Sequence, residues 1–197
     1  MTVLVIPRRT CRAATMFGLV LILLFGASCT GPSVEIGQAL VITNVTSGWV
    51  AIGFDEFGRN KLVPTISFQL ENVSEGVVGV MQLNSVFRRC LVAYGEQPPP
   101  VSDVSPADPA TGSCHGEAQE WGNAFVRAVG RDGLKSGAAA GPFTLQSGLG
   151  YTGEQARLDM LQHRDFVDAK VEIFIKHRAE QWVKLEEHPI DRKILTQ

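Results

Sequence analysis

Between residues 167 and 176, Val167, Ala169, Val171, Ile173 and Ile175 alternate with Asp168, Lys170, Glu172 and Lys176. A period of two puts the apolar set on one side of an extended backbone and the charged set on the other. Such a stretch is stable only as a strand with one face against a core. The chain turns at residues 177–180, and residues 181–186 return as a second arm, Val183 and Leu185 opposing Trp182 and Lys184. The same period recurs at residues 64–89. There Ile66, Phe68 and Leu70 alternate with Thr65, Ser67 and Gln69, and residues 71–76 carry turn chemistry. Val77, Gly79, Met81, Leu83, Ser85 and Phe87 then alternate with Val78, Val80, Gln82, Asn84 and Val86. This pattern predicts an antiparallel hairpin at the centre of a sheet.

A strand, then Asn72-Val73-Ser74, then a strand of alternating Val, Met, Leu and Phe resembles the immunoglobulin-like accessory domains of bacterial envelope proteins, including those of the FxLYD type. The resemblance implies a mainly β, immunoglobulin-like antiparallel sandwich. It carries over no functional residue, because the second strand ends Phe87-Arg88-Arg89-Cys90 where the type has an aromatic-Asp ending. Further strands are expected at residues 34–45, at 49–54 after a turn at 44–48, at 121–129 and at 143–146, with a reversal at 54–61. Asn44-Val45-Thr46 and Asn72-Val73-Ser74 fit the glycosylation sequon and are read as turn residues.

Residues 17–25 are apolar throughout apart from Gly18, and Arg8, Arg9 and Arg12 precede them with no acid before Glu35. A positive segment followed by an apolar run too short for a comfortable membrane span is the layout of an export signal. Gly26-Ala27-Ser28-Cys29 resembles the lipobox of bacterial lipoproteins, with Gly26 where that family usually carries Leu. The resemblance implies that residues 1–28 are cleaved and that Cys29 is acylated. Residues 29–33 would then be a lipidated tether, and the protein would be exported and held at a membrane facing the periplasm or the cell exterior. No retention Asp follows Cys29, which favours an outer membrane where the cell has one.

Removing residues 1–28 takes away three arginines and no acid, so 18 basic residues become 15 against 20 acidic, a balance of minus five. Nowhere does the sequence run a basic stripe with interleaved aromatics, so nucleic acid is not an expected partner. Residues 34–197 fit one domain with a full core. Of four cysteines, Cys11 lies in the signal and Cys29 is the lipid site, which leaves Cys90 and Cys114 as a pair in an oxidising setting. They flank a loop insertion at about 91–118 containing Tyr94, Pro98, Pro99, Pro100, Pro106 and Pro109. So many prolines exclude a helix or a central strand. A Cys90–Cys114 disulfide would close this loop and stabilise the fold by about 3 kcal/mol. The loop is the candidate partner-binding segment, since rigid scaffolds place recognition on loops.

One α-helix is expected at about 152–163, with Thr152 and Gln155 as a capping box and Leu158 and Leu161 at helical spacing. Gly148 and Gly150 suggest a phosphate loop, yet no GxxxxGK[ST] follows, and they are read as loop glycines. His115, His163, His177 and His188 show neither HExxH nor HxH spacing, no GxSxG elbow occurs, and His115 beside Cys114 lacks a second ligand pair. The acids Glu186-Glu187 and Asp165/Asp168 suit solubility rather than general acid–base work. No cofactor or metal is expected. The expectation is therefore a membrane-tethered envelope lipoprotein acting as a non-catalytic binding or assembly module, contacting the bilayer through acylated Cys29 and an envelope protein through the loop. The alternative is a small-ligand carrier or hydrolase with a pocket near residues 148–151.

Overall fold

The computed structural model describes residues 35–90, 118–163, 166–178 and 180–196. In chain order the elements are α1 (Ile36–Ala39), β1 (Leu40–Phe54), β2 (Asn60–Asn72), β3 (Met81–Cys90), β4 (Ala118–Val129), β5 (Ala139–Gln146), β6 (Tyr151–Gly153), α2 (Arg157–Gln162), β7 (Ala169–His177) and β8 (Val183–Pro189). They form two antiparallel sheets, one ordered β1-β2-β5 with β6 also on β2, the other ordered β4-β3-β7-β8. Strands one, two and five face strands three, four and the last two, which is the order of an immunoglobulin-like sandwich. Among the described residues, no helix is long and apolar enough to cross a membrane.

Alternation decides what each sheet buries. From the first sheet Leu62, Ile66, Phe68 and Leu70 point inward; from the second, Met81, Leu83, Phe87, Val171, Ile173 and Ile175 meet them, all fully buried. Each such side chain contributes about 1.5–3 kcal/mol on leaving water. An aromatic chain ties the layers together. Trp49 of β1 meets Trp121 of β4 at 5.9 Å and Phe166 at 4.7 Å, and Phe166 meets Tyr151 of β6 at 5.1 Å. Arg192 lies 5.2 Å over Phe166 and grips Asp168 through two hydrogen bonds of 2.6 and 2.9 Å.

Pro64 sits inside β2, where a missing N–H would normally break a ladder. Its carbonyl accepts from Ser147 N on the side away from β1. A strand residue's N–H and C=O point the same way, so the absent donor faces the gap between β5, which ends opposite Thr65, and β6, which begins opposite Leu62. No ladder bond is lost.

Four sequence expectations are corrected. The two arms of residues 64–89 do not pair: β2 bonds to β1 and β5, β3 to β4 and β7, and the connection between them crosses from one sheet to the other. Both arms bury alternate residues toward one core from opposite sides, which a face pattern cannot distinguish from a hairpin. The turn expected at 44–48 is a bulge, Asn44 at φ 53 absorbing a register shift, and β1 runs through it. The helix is present but spans only Arg157–Gln162; Tyr151–Gly153 pairs with Asn60–Leu62 as β6, and the helix starts after Ala156 with no side-chain cap, so Thr152 and Gln155 form no capping box. Residues 36–39, read as strand, form the short α1.

Candidate functional site

The sandwich has two chemically different ends. At the N-terminal end, α1 feeds β1 at Leu40, which pairs with Asn72. The turns before β3 and β5 join here, because Val78 bridges Leu134 and the Asn72 amide donates to Leu134 O at 2.8 Å. At the far end lie the β1–β2 reversal, the segment around β6 and α2, and both flanks of residues 91–117. Asn60 of β2 pairs with Gly153 and donates to Gln155 O at 2.9 Å, while Cys90 N donates to Asp168 O at 2.8 Å.

The β1–β2 reversal is locked by one side chain. Asp55 Oδ1 accepts from Phe57 N at 3.0 Å and from Arg59 N at 2.9 Å, and Oδ2 accepts from Arg59 Nε at 2.8 Å. The Arg59 guanidinium in turn covers the Phe57 ring at 5.2 Å. This fixed turn holds Phe54 and Phe57 in solvent, 66% and 74% exposed. The sequence reading found the reversal and missed its apolar tip; Phe54-Asp55-Glu56-Phe57, two aromatics around a turn-forming acid, was the available signal.

Of the residues singled out from sequence, Cys90 closes β3, is nearly buried, and stands opposite Ala118, the first residue of β4. The chain that leaves at Cys90 therefore returns beside it. Cys29, Tyr94, Pro98, Pro99, Pro100, Pro106, Pro109 and Cys114 lie outside the described residues, as do the export segment and most of the loop insertion. The corner at residues 148–151 is tightly built at two points. A Cβ on Gly150 would fall 2.1 Å from Leu62 O, and Ser147 Oγ donates to Trp121 O at 2.6 Å while accepting from Leu149 N at 3.1 Å. Tyr151 is half-buried against Phe166. Gly150 serves close packing between β2 and the β5–β6 connection, whereas a Cβ on Gly148 would meet nothing within 4 Å.

The outward face of the second sheet carries an ion-pair ladder. Arg88 Nε contacts Glu172 Oε2 at 2.5 Å, Lys184 Nζ bridges Glu172 at 2.8 Å and Glu187 at 2.7 Å, and Lys170 Nζ reaches Glu187 at 2.9 Å. Burial pushes the Glu172 carboxyl up, but hydrogen bonds from Lys184 and Arg88 outweigh it and hold the group below its usual range. Hydrogen bonds from Lys184 and Lys170 likewise lower Glu187, and those to Glu172 and Glu187 raise Lys184. The ladder laces β3, β7 and β8 together. Asp168, singled out with Asp165 as an acid pair, is taken up by Arg192; Asp165 lies outside the described residues. His177 and His188 lie within 3.3 Å of Glu180 and 2.9 Å of Glu186. Among the described residues, no three His, Cys, Asp or Glu side chains are placed to hold a metal ion.

Compared with known proteins, the chain matches no protein-family model and no curated protein.

Proposed function

We propose that the protein is a membrane-tethered lipoprotein of the cell envelope whose sandwich presents a binding or assembly surface and performs no catalysis. The observation that carries this reading is the separation of the two ends. The chain enters the sandwich at α1 and Leu40, and β1 then runs 15 residues to Phe54, about 45 Å at 3.3 Å per step. From Cys29 to Ile36 the chain reaches at most about 25 Å. The chain thus joins the sandwich at the end opposite the one that carries the locked Phe54/Phe57 turn and both flanks of the proline-rich segment.

A Cys90–Cys114 disulfide belongs to the same reading. Cys114 precedes Ala118 by four residues, and Ala118 lies opposite Cys90, so Cys114 is within about 14 Å of chain reach. The candidate contact is the loop with Tyr94 and Pro98 to Pro100, whose flanking residues Cys90 and Ala118 lie at the same end of the sandwich as the exposed aromatic turn. The carrier or hydrolase reading has less support, since Gly150 packs against Leu62 and Tyr151 against Phe166.

Deletion of residues 95–112 from the full chain tests the surface. Cross-linking to envelope proteins is expected to disappear while the thermal transition stays in place; cross-linking that survives the deletion refutes the loop as the contact. Labelled palmitate should enter the wild type and not Cys29→Ser. Label retained in that variant overturns the anchor.

A further inference from the structure

The outward face of the second sheet divides into two halves of opposite chemistry. Toward Cys90 lies the ladder of Arg88, Glu172, Lys184, Glu187 and Lys170. Toward Met81 the register sets a different group side by side. Arg127 of β4 stands opposite Gln82 of β3, which stands opposite Lys176 of β7; one step on, Phe125 stands opposite Asn84. Trp182, just before β8, lies under the Lys176 ammonium at 5.9 Å and meets the Phe125 ring edge-on at 6.0 Å. The indole therefore bridges Lys176 of β7 and Phe125 of β4, the residues opposite Gln82 and Asn84 of β3. Phe125 is 58% and Trp182 39% exposed. No carboxylate among the described residues pairs with Arg127 or Lys176, although acids outnumber bases in the chain.

We propose that this patch binds an anionic glycan. Aromatic rings offer faces on which sugar rings stack, primary amides exchange hydrogen bonds with hydroxyls in both directions, and cations without acid partners complement carboxylates. The charge complementarity is local: Glu172 and Glu187 are held by the ladder cations, Glu120 stands at the Cys90 end opposite Arg88, and Glu180, in the turn before Trp182, lies against His177. A nucleic acid fits less well: two cations with no carboxylate partner among the described residues release few counterions, too few to hold a polyphosphate against the net negative charge of the chain. The patch is distinct from the far-end surface proposed above, so each stands or falls alone.

The full chain, purified in detergent, is run by affinity electrophoresis in gels containing polygalacturonate, neutral dextran or single-stranded DNA. Polygalacturonate is expected to retard it, dextran and DNA are not, and added salt should weaken retardation. Trp182→Ala should weaken binding about tenfold, as loss of a stacked ring typically does, with Lys176→Gln weakening it and Phe57→Ala leaving it unchanged. Each variant is checked for an unchanged thermal transition. If Trp182→Ala melts early, Phe125→Ser and Lys176→Gln carry the test. The proposal is overturned by absence of retardation in polygalacturonate, by equal retardation of the folded variants, or by stronger retardation in DNA.

Discussion

At the scale of single residues, Asn72 shows how one polar side chain can join segments distant in sequence. It is fully buried, its amide donates to Gly76 O and Leu134 O at 2.8 Å each, and Oδ1 accepts from Ser74 N at 3.0 Å and Ser74 Oγ at 2.7 Å. All four of its hydrogen-bonding positions are used. Asn72→Ala removes one donor from Leu134 O, which keeps Val78 N, and one from Gly76 O, which keeps Ser74 Oγ, and takes the acceptor from Ser74 N; it should lower unfolding stability by about 1–3 kcal/mol in urea titration. A loss below about 1 kcal/mol would mean that water replaces the amide. Asn72-Val73-Ser74, read as turn residues, straddles a boundary: Asn72 is the last residue of β2, opposite Leu40, and the chain leaves the sheet at Val73 and Ser74. The same reading failed at Asn44. A positive φ there can serve a turn or a bulge, and only the pairing of β1 on both sides of it, to one continuous β2, distinguishes them.

At the scale of elements, the outer edge of β1 is covered by residues 190–195, which run parallel to it. Trp49 N donates to Lys193 O and Leu195 N to Trp49 O, both at 2.8 Å, and Ile190 is fully buried. Gly48 makes the approach possible, since a Cβ there would lie 2.8 Å from Leu195 and 2.9 Å from Lys193 O. Gly48→Val should therefore lift the terminal arm and cost about 1–3 kcal/mol. Hydrogen exchange would show the Trp49 amide losing protection while the amides of β7 keep theirs; unchanged protection at Trp49 would contradict the account. Local patterns made β7 and β8 legible, since their apolar and charged residues alternate and a short turn joins them. The opposite assignment of β2 and β3 was not legible. Their periodicity reports which side faces the core, and both sheets face the same core. Nor was β6 legible, because Tyr151-Thr152-Gly153 is too short to show a period and takes its strand form from pairing with Asn60–Leu62. The patch around Trp182 escaped for a related reason: its members lie on β3, β4, β7 and the approach to β8, and only sheet register brings them together.

Across the whole molecule, the ladder on the second sheet makes stability depend on pH in a direction that follows from its parts. Glu172 and Glu187 are held below the ordinary carboxylate value of 4.5. A carboxylate lowered by folding contributes stability that is complete above its unfolded pKa and is lost as pH falls through its folded one. Lys184 is raised above 10.5, so its contribution is complete below that value and is lost as pH rises through its higher folded pKa. The ladder is thus intact from about pH 5 to 10 and fails at both extremes. Lys184→Met removes the cation shared by both acids. Their folded values then move back toward the unfolded ones, so calorimetric midpoints of the variant should fall less steeply than those of the wild type as pH drops below 4.5. Lys184 is 42% exposed in its side chain, so salt must screen the effect, and the difference between the two proteins should shrink at high ionic strength. Parallel acid limbs in the two proteins would place the acid sensitivity elsewhere. Since β8 is laced to β7 by this ladder and begins directly after Trp182, loosening it at low pH should expose that half-covered indole further and red-shift its emission before the buried Trp49 responds.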